Sequence, residues 1–404
     1  MINRLRIDPY FPLHKLVNSS SDFGQKSRSL LAVGLLIAVC VSGMGFTFGQ
    51  TAPDKYRFIE IKGHSGRHLY TGEQLNSTVD NGYGAVEVRY AWKSNRQKWA
   101  PVYNYPAYGV GWYAGFIGNP DILGQPNALY GFVSFNLSKP KKAQWMIEPA
   151  VGLTYDLKPY QQSDNPTNDA IGGVLAVYFN LNMGGSLFLT RELDLTYGFD
   201  ITHFSNGRSK QPNFGLNMVG LNLGARYHFN NMQRRIDNSI IPVNIVNARP
   251  EQKPAKPDSL IKKGIVQVYF AGGTSQNKED MGTSKRYFNG TMLLEYSRRI
   301  SLMHGVTGGL DLLYDASLKQ YYPDMKDYFI PAIHTGYDFY FWKLAVRMQF
   351  GYYLEEIDTK GAWFLRPALM YNWSDRWFAQ VGLKTLDGGA ADWIEWGVGV
   401  KFRN

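Results

Sequence analysis

The chain has 404 residues, with 43 Lys and Arg against 33 Asp and Glu, a formal net charge of +10, one Cys, 10 Trp, 27 Tyr and 23 Phe. Only 19% is charged and 15% is aromatic, which excludes a disordered chain, and the single Cys excludes a disulfide scaffold. The mean hydropathy of −0.29 resembles that of a soluble protein, but a transmembrane barrel alternates apolar with polar residues and averages to much the same value.

The first element is an address. Leu30 to Phe48 is one apolar run, preceded by Lys26 and Arg28 and ending at Thr47-Phe48-Gly49 before Gln50. A basic flank, an apolar stretch and small residues at its distal end make a secretory signal peptide, assigned here to residues 1–49. A membrane anchor helix is the alternative, since such a run is long enough to span a bilayer. Cys40 is no lipidation site, because Val39 stands where a small residue is needed. The mature chain then holds no thiol, and export predicts a bacterial outer-membrane location.

Beyond residue 50 the chain counts in twos. Leu129, Gly131, Val133, Phe135 and Leu137 alternate with Tyr130, Phe132, Ser134 and Asn136. Leu344, Val346, Met348, Phe350 and Tyr352 alternate with Ala345, Arg347, Gln349 and Gly351. Period two means strand. Eight strands are predicted near 56–65, 83–92, 107–117, 128–138, 146–157, 172–188, 193–205 and 215–229. Eight more follow near 263–273, 285–297, 303–316, 328–339, 343–354, 362–372, 376–386 and 391–403. Short connections such as Lys139–Gln144 and Thr190–Glu192 read as periplasmic turns, and long polar ones such as 158–170 and 206–214 as outward loops. The 93–105 connection is longer than this rule prefers.

The fold class predicted is all-β: a transmembrane antiparallel β-barrel of about 16 strands, either one wide barrel or two tandem eight-stranded halves. Residues 50–230 form the first half and 263–404 the second. The Pro- and Lys-rich stretch 231–262 between them lacks alternation and reads as a periplasmic linker. The halves resemble each other, DITHFSNG…GLNLGARYHF overlaying GLKTLDGG…WGVGVKF, which suggests a duplication.

One strand carries chemistry. Leu193, Leu195, Tyr197, Phe199 and Ile201 share a lipid-facing stripe, and the same parity places His203 and Ser205 at its upper end. The next strand faces Val219, Leu221, Leu223, Ala225, Tyr227 and Phe229 outward, which puts Asn217 on the same rim. A Ser hydroxyl becomes a nucleophile when a base takes its proton, and the base needs a third group to fix its tautomer. Asn213 and the backbone N–H groups at Asn206-Gly207 are candidates for an oxyanion hole. Arg208 and Lys210 are cationic donors suited to a phosphorylated glycolipid head group. Asp200 points inward by parity. His64 and His68 are candidate loop ligands for lipopolysaccharide, although solvated loop positions explain them more simply. No metal or cofactor is expected, because no His, Asp and Glu cluster has ligand spacing.

The stretch His203-Phe204-Ser205-Asn206-Gly207, followed by Pro212-Asn213-Phe214-Gly215, resembles the signature of the lipid A 3-O-deacylase (PagL) family of outer-membrane hydrolases. The resemblance covers roughly 106–230. It implies an eight-stranded barrel with a catalytic triad on its outer wall and an ester-linked acyl chain of lipid A as substrate. By the same resemblance Ser205 is the nucleophile, His203 the general base, and Asn206 and Asn213 are supporting groups. The family's Glu does not carry over: Asn217 stands at its position and is the candidate orienter of His203. In the second half Thr385 and Asp387 fall where His and Ser would stand, so no chemistry is expected there.

The reading that follows is an outer-membrane serine esterase acting on lipid A. The alternative is a catalytically silent barrel serving as a pore or a surface-binding protein. Nucleic acid is a poor partner, since the basic residues are dispersed rather than gathered into a patch. Oligomeric state is left open.

Overall fold

A computed structural model of the chain describes residues 55–69, 72–76, 82–94, 99–138, 143–190, 192–229, 264–325 and 327–403. The signal peptide assigned to 1–49 and the linker assigned to 231–262 lie outside the described residues. The first eight strands are β1 (Lys55–His68), β2 (Gly82–Ser94), β3 (Ala107–Phe116), β4 (Gly124–Asn136), β5 (Ala143–Leu157), β6 (Ala176–Phe188), β7 (Leu193–Ser205) and β8 (Leu216–Phe229). The second eight are β9 (Ile265–Ser275), β10 (Tyr287–Arg299), β11 (His304–Asp315), β12 (Phe329–Phe341), β13 (Leu344–Tyr353), β14 (Trp363–Asn372), β15 (Trp377–Leu386) and β16 (Ala390–Arg403).

Pairing decides between one barrel and two. β8 turns back onto β1, with Tyr227 opposite Ile59 and Leu223 opposite Gly63, and β16 pairs β9 in the same antiparallel sense. The chain therefore forms two closed eight-stranded barrels in sequence. Closure leaves no strand edge open in either barrel.

The two faces of each strand meet different surroundings. On β7, Asp194, Thr196, Asp200 and Thr202 are buried in the lumen, while Phe199 and Ile201 are exposed. On β8, Leu221 and Leu223 are 68% and 60% exposed, whereas Asn222 and Arg226 are buried. Exposed apolar side chains repeat around both barrels, among them Val110, Leu129, Val151, Leu310, Val346 and Trp396. An inverted arrangement of this kind, polar inside and apolar outside, is favourable only where the outer face meets lipid.

The lumens are filled rather than open. In the first barrel Glu148 accepts from Lys62 Nζ at 2.8 Å and from Arg89 Nη1 at 2.9 Å, and Arg89 Nη2 reaches Glu87 at 3.0 Å. In the second, Arg347 holds Glu295 at 2.9 Å and Asp338 at 2.8 Å, and Arg366 holds Asp311 at 2.7 Å. Eight strands enclose a space that side chains just fill. Of the two architectures left open, one wide barrel of sixteen strands is corrected to two closed barrels of eight, and the packed ion pairs count against a pore through either lumen. His64 is corrected as well. β1 runs on to His68, so His64 lies inside the barrel between Asp200 and Glu87, 3.3 Å from each, and His68 is buried at the strand end; neither is a loop ligand.

The barrels touch at both ends. At the short-turn end, the long connection between β2 and β3 forms a helical turn at Ala100–Tyr103. Trp99 stacks on Trp342 at 6.1 Å, and Tyr103 meets Phe341 edge-on at 5.0 Å. The unexpected length of this connection is thus spent on the second barrel. At the opposite end, the loop from β7 to β8 meets β16 and the loop that follows β9.

Candidate active site

The site is built at the upper end of β7 and the start of β8. Register sets His203 directly opposite Asn217, and parity turns both outward, away from buried Thr202 and Phe204 on the lumen side. The imidazole Nδ1 lies 2.7 Å from Asn217 Oδ1. A carbonyl oxygen only accepts, so Nδ1 carries the proton and Nε2 presents its lone pair. That is the tautomer a general base requires.

Ser205 follows one pleat above on the same face, about 7 Å along the strand. It is largely covered, at 7% exposure, by the loop that leaves β7. Its Oγ accepts from Gly207 N–H at 3.1 Å and from Asn213 Nδ2 at 3.0 Å. Asn213 Oδ1 in turn accepts from Asn206 N–H at 3.0 Å, so a single side chain ties the serine to the backbone after it. Asn206 is 4% exposed, and neither atom of its side-chain amide has a protein partner. A buried amide without a partner costs free energy, a cost that a hydrogen-bonding group bound there would relieve.

Two glycines shape the turn. Gly207 has φ +60°, a left-handed value that brings its N–H back onto the serine. Gly215 has φ +75°, and a Cβ there would lie 2.8 Å from His203 Cε1, so only glycine lets the chain pass under the imidazole.

Below the site, the outer wall is recessed. A depression of about 670 Å³ is lined by Trp145, Met183, Tyr197, Phe199, Leu221 and Leu223, with glycines such as Gly184 and Gly198 in its floor. Phe199 stands four residues below His203 on the same strand face, about 13 Å away.

Of the predicted residues, then, His203 and Asn217 are hydrogen-bonded to each other, and Ser205, Asn206, Gly207 and Asn213 form one connected turn in which the Ser205 hydroxyl bonds Asn213 rather than His203. Arg208 is placed otherwise. Its guanidinium donates to Asp392 Oδ1 at 2.9 Å, to Asn277 Oδ1 at 3.0 Å and to Gln276 O at 3.2 Å, so it is not the free cationic donor expected for a head group. Lys210, two residues on, is half-buried. Asp200 is in the lumen, as parity predicted, and hydrogen-bonds Asn180, Thr202 and Asn222. Thr385 is spent on the β14 backbone at Leu365. Sequence reasoning missed Gln276, Asn277 and Asp392, and no local signal marks residues that meet the site only through folding of a second barrel.

The family model described as lipid A 3-O-deacylase (PagL) matches residues 84–226, and the one described as acyloxyacyl hydrolase, C-terminal domain, matches residues 265–404. The chain belongs to the PagL family. The boundary between the two matches falls where the first barrel ends and the second begins. No curated protein matches the chain. Among solved structures, Neisserial surface protein A is similar at 9% identity over 43% of this chain and 97% of that one, with a TM-score of 0.29. The Acinetobacter baumannii outer membrane protein Omp33 is similar at 10% identity over 87% of this chain and 99% of that one, with a TM-score of 0.16. A triple mutant of the Rhodopseudomonas blastica porin gives 9%, 86%, 99% and 0.19 in the same order. Likenesses this distant carry nothing about function.

Proposed function

We propose that the chain is an outer-membrane serine esterase that removes an ester-linked acyl chain from lipid A. One observation carries the reading: on the outer wall, Asn217 fixes the Nδ1–H tautomer of His203, and a serine sits one pleat above on the same face. Membership of a lipid A deacylase family supports the substrate class.

Ser205 Oγ attacks the ester carbonyl as His203 Nε2 takes its proton. The carbonyl π bond opens onto oxygen, and the developing oxyanion is met by the Asn206 amide, which is otherwise without a partner. Collapse expels the sugar alkoxide, which takes the proton back from His203 and leaves an acyl-serine. Water, deprotonated by the same imidazole, then releases the fatty acid. Lys210 is the cation left to meet a head-group phosphate, and the recess beside Phe199 accommodates an acyl chain alongside the strand. No step requires a metal. The assigned signal peptide, residues 1–49, delivers the chain across the inner membrane.

The test is release of 3-hydroxy fatty acid from lipopolysaccharide by the purified protein in detergent, followed by mass spectrometry. The wild type releases it and Ser205→Ala does not. Equal release by both proteins removes Ser205 from the mechanism.

A further inference from the structure

The second barrel lacks its own His and Ser at the equivalent strand end, yet it grips the turn that carries Ser205. The grip begins at backbone level. A Cβ placed on Gly207 would overlap Ile394 of β16 at 2.2 Å, so the loop lies directly against the second barrel. Arg208 comes next, in a left-handed conformation (φ +62°) that is costly for a residue with a side chain. Its three guanidinium bonds to Asp392, Asn277 and Gln276 offset that cost. The backbones also join, Gln276 N–H donating to Arg208 O at 3.0 Å and Gln211 N–H to Gln276 Oε1 at 2.7 Å.

The gripping residues are themselves fixed. Gln276 Nε2 donates to the carbonyls of Asp280, Thr283 and Lys285 at 3.0–3.1 Å. Asn277 Nδ2 donates to Ser317 O at 3.0 Å. Asp392 is held by Lys360 at 2.8 Å and by Lys384 at 2.7 Å. All three are buried. Side chains held in this way on a closed barrel are a rigid support for a loop that is not part of either sheet.

We propose that the second barrel is a positioning device for the first: Gln276, Asn277 and Asp392 hold Arg208 and Gln211, and thereby keep the Gly207 N–H against Ser205 Oγ and Asn206 beside it. These are positioning residues, since none touches the reacting atoms. The role rests on the deacylase reading, in which Ser205 is the nucleophile. It assigns Arg208 a structural partner in place of a head-group phosphate. Misplacement of a nucleophile by even 1 Å is enough to lower turnover on the order of a hundredfold while substrate affinity is kept.

The experiment uses the full-length chain in detergent, with Arg208→Ala, Arg208→Lys and Gln276→Ala. Heat-modifiable migration on gels verifies that the barrels are folded in each. Two readings are taken: kcat and KM for fatty acid release, and trypsin cleavage at the Lys210–Gln211 bond. The expected result is a fall in kcat of tenfold or more for both alanine variants with KM within twofold. Arg208→Lys, which retains a cation for Asp392, recovers part of the loss. Lys210 is cleaved in the alanine variants and protected in the wild type. Wild-type kcat in both folded alanine variants, or equal trypsin resistance throughout, overturns the proposal. If the wild type itself releases no fatty acid, the deacylase reading fails separately. The trypsin comparison then decides the clamp alone: cleavage confined to the alanine variants supports it, and equal resistance overturns it.

Discussion

His203 Nδ1 and Asn217 Oδ1 lie 2.7 Å apart across paired strands, an amide where a carboxylate would complete a charged triad. The amide fixes the tautomer but leaves the imidazolium formed during attack without a counter-charge. Asn217→Asp should therefore raise kcat, by tenfold or more, and Asn217→Leu should lower it on the order of a hundredfold, general-base assistance being worth about 10²–10⁴. Initial rates of fatty acid release check both. Indifference to the leucine substitution would show that Asn217 does not orient the base.

Asn206 offers a separate measurement. If its buried amide meets the oxyanion, Asn206→Ala should lower kcat by about 10²–10³ with little change in KM, the usual effect of removing one oxyanion donor. A change confined to KM would assign the amide to ground-state binding instead.

Gly215→Ala tests the approach of the chain to the imidazole. The new Cβ, 2.8 Å from His203 Cε1 and on a backbone at φ +75°, forces the ring to move. The expected outcome is a loss of at least tenfold in kcat with a stability cost of about 1 kcal/mol from the left-handed backbone. Urea unfolding in detergent measures the second quantity.

The filled lumens predict two results. Planar bilayers containing the protein should show no steady conductance, because ion pairs occupy the space that a channel needs. Arg89→Leu, which leaves Glu87 and Glu148 without a shared cation, should destabilise the first barrel by about 3–5 kcal/mol. Activity per folded molecule should survive, since Arg89 lies away from the outer-wall site.

The strands were legible because period two is local: every lipid-facing run, such as Leu193 to Ile201, announces itself without reference to the rest of the chain. Parity also put His203, Ser205 and Asn217 on one rim. Closure was not legible, because whether Tyr227 pairs with Ile59 or with a later strand depends on register between segments far apart in sequence. For the same reason His64 was misread. Its partners, Glu87 and Asp200, belong to other strands, and only the closed barrel brings them to it. The commitment of Arg208 to Asp392 spans 184 residues and two barrels, beyond any pattern in the loop itself.

Because β8 completes its seam with β1 and β16 with β9, neither half borrows a strand from the other. Such a molecule is divisible: two polypeptides, one ending after Phe229 and the other starting before Ile265, would each retain every rung of its own ladder. What they would have to rediscover in the bilayer is only their mutual docking, through indole and phenyl rings at one rim and a guanidinium at the other.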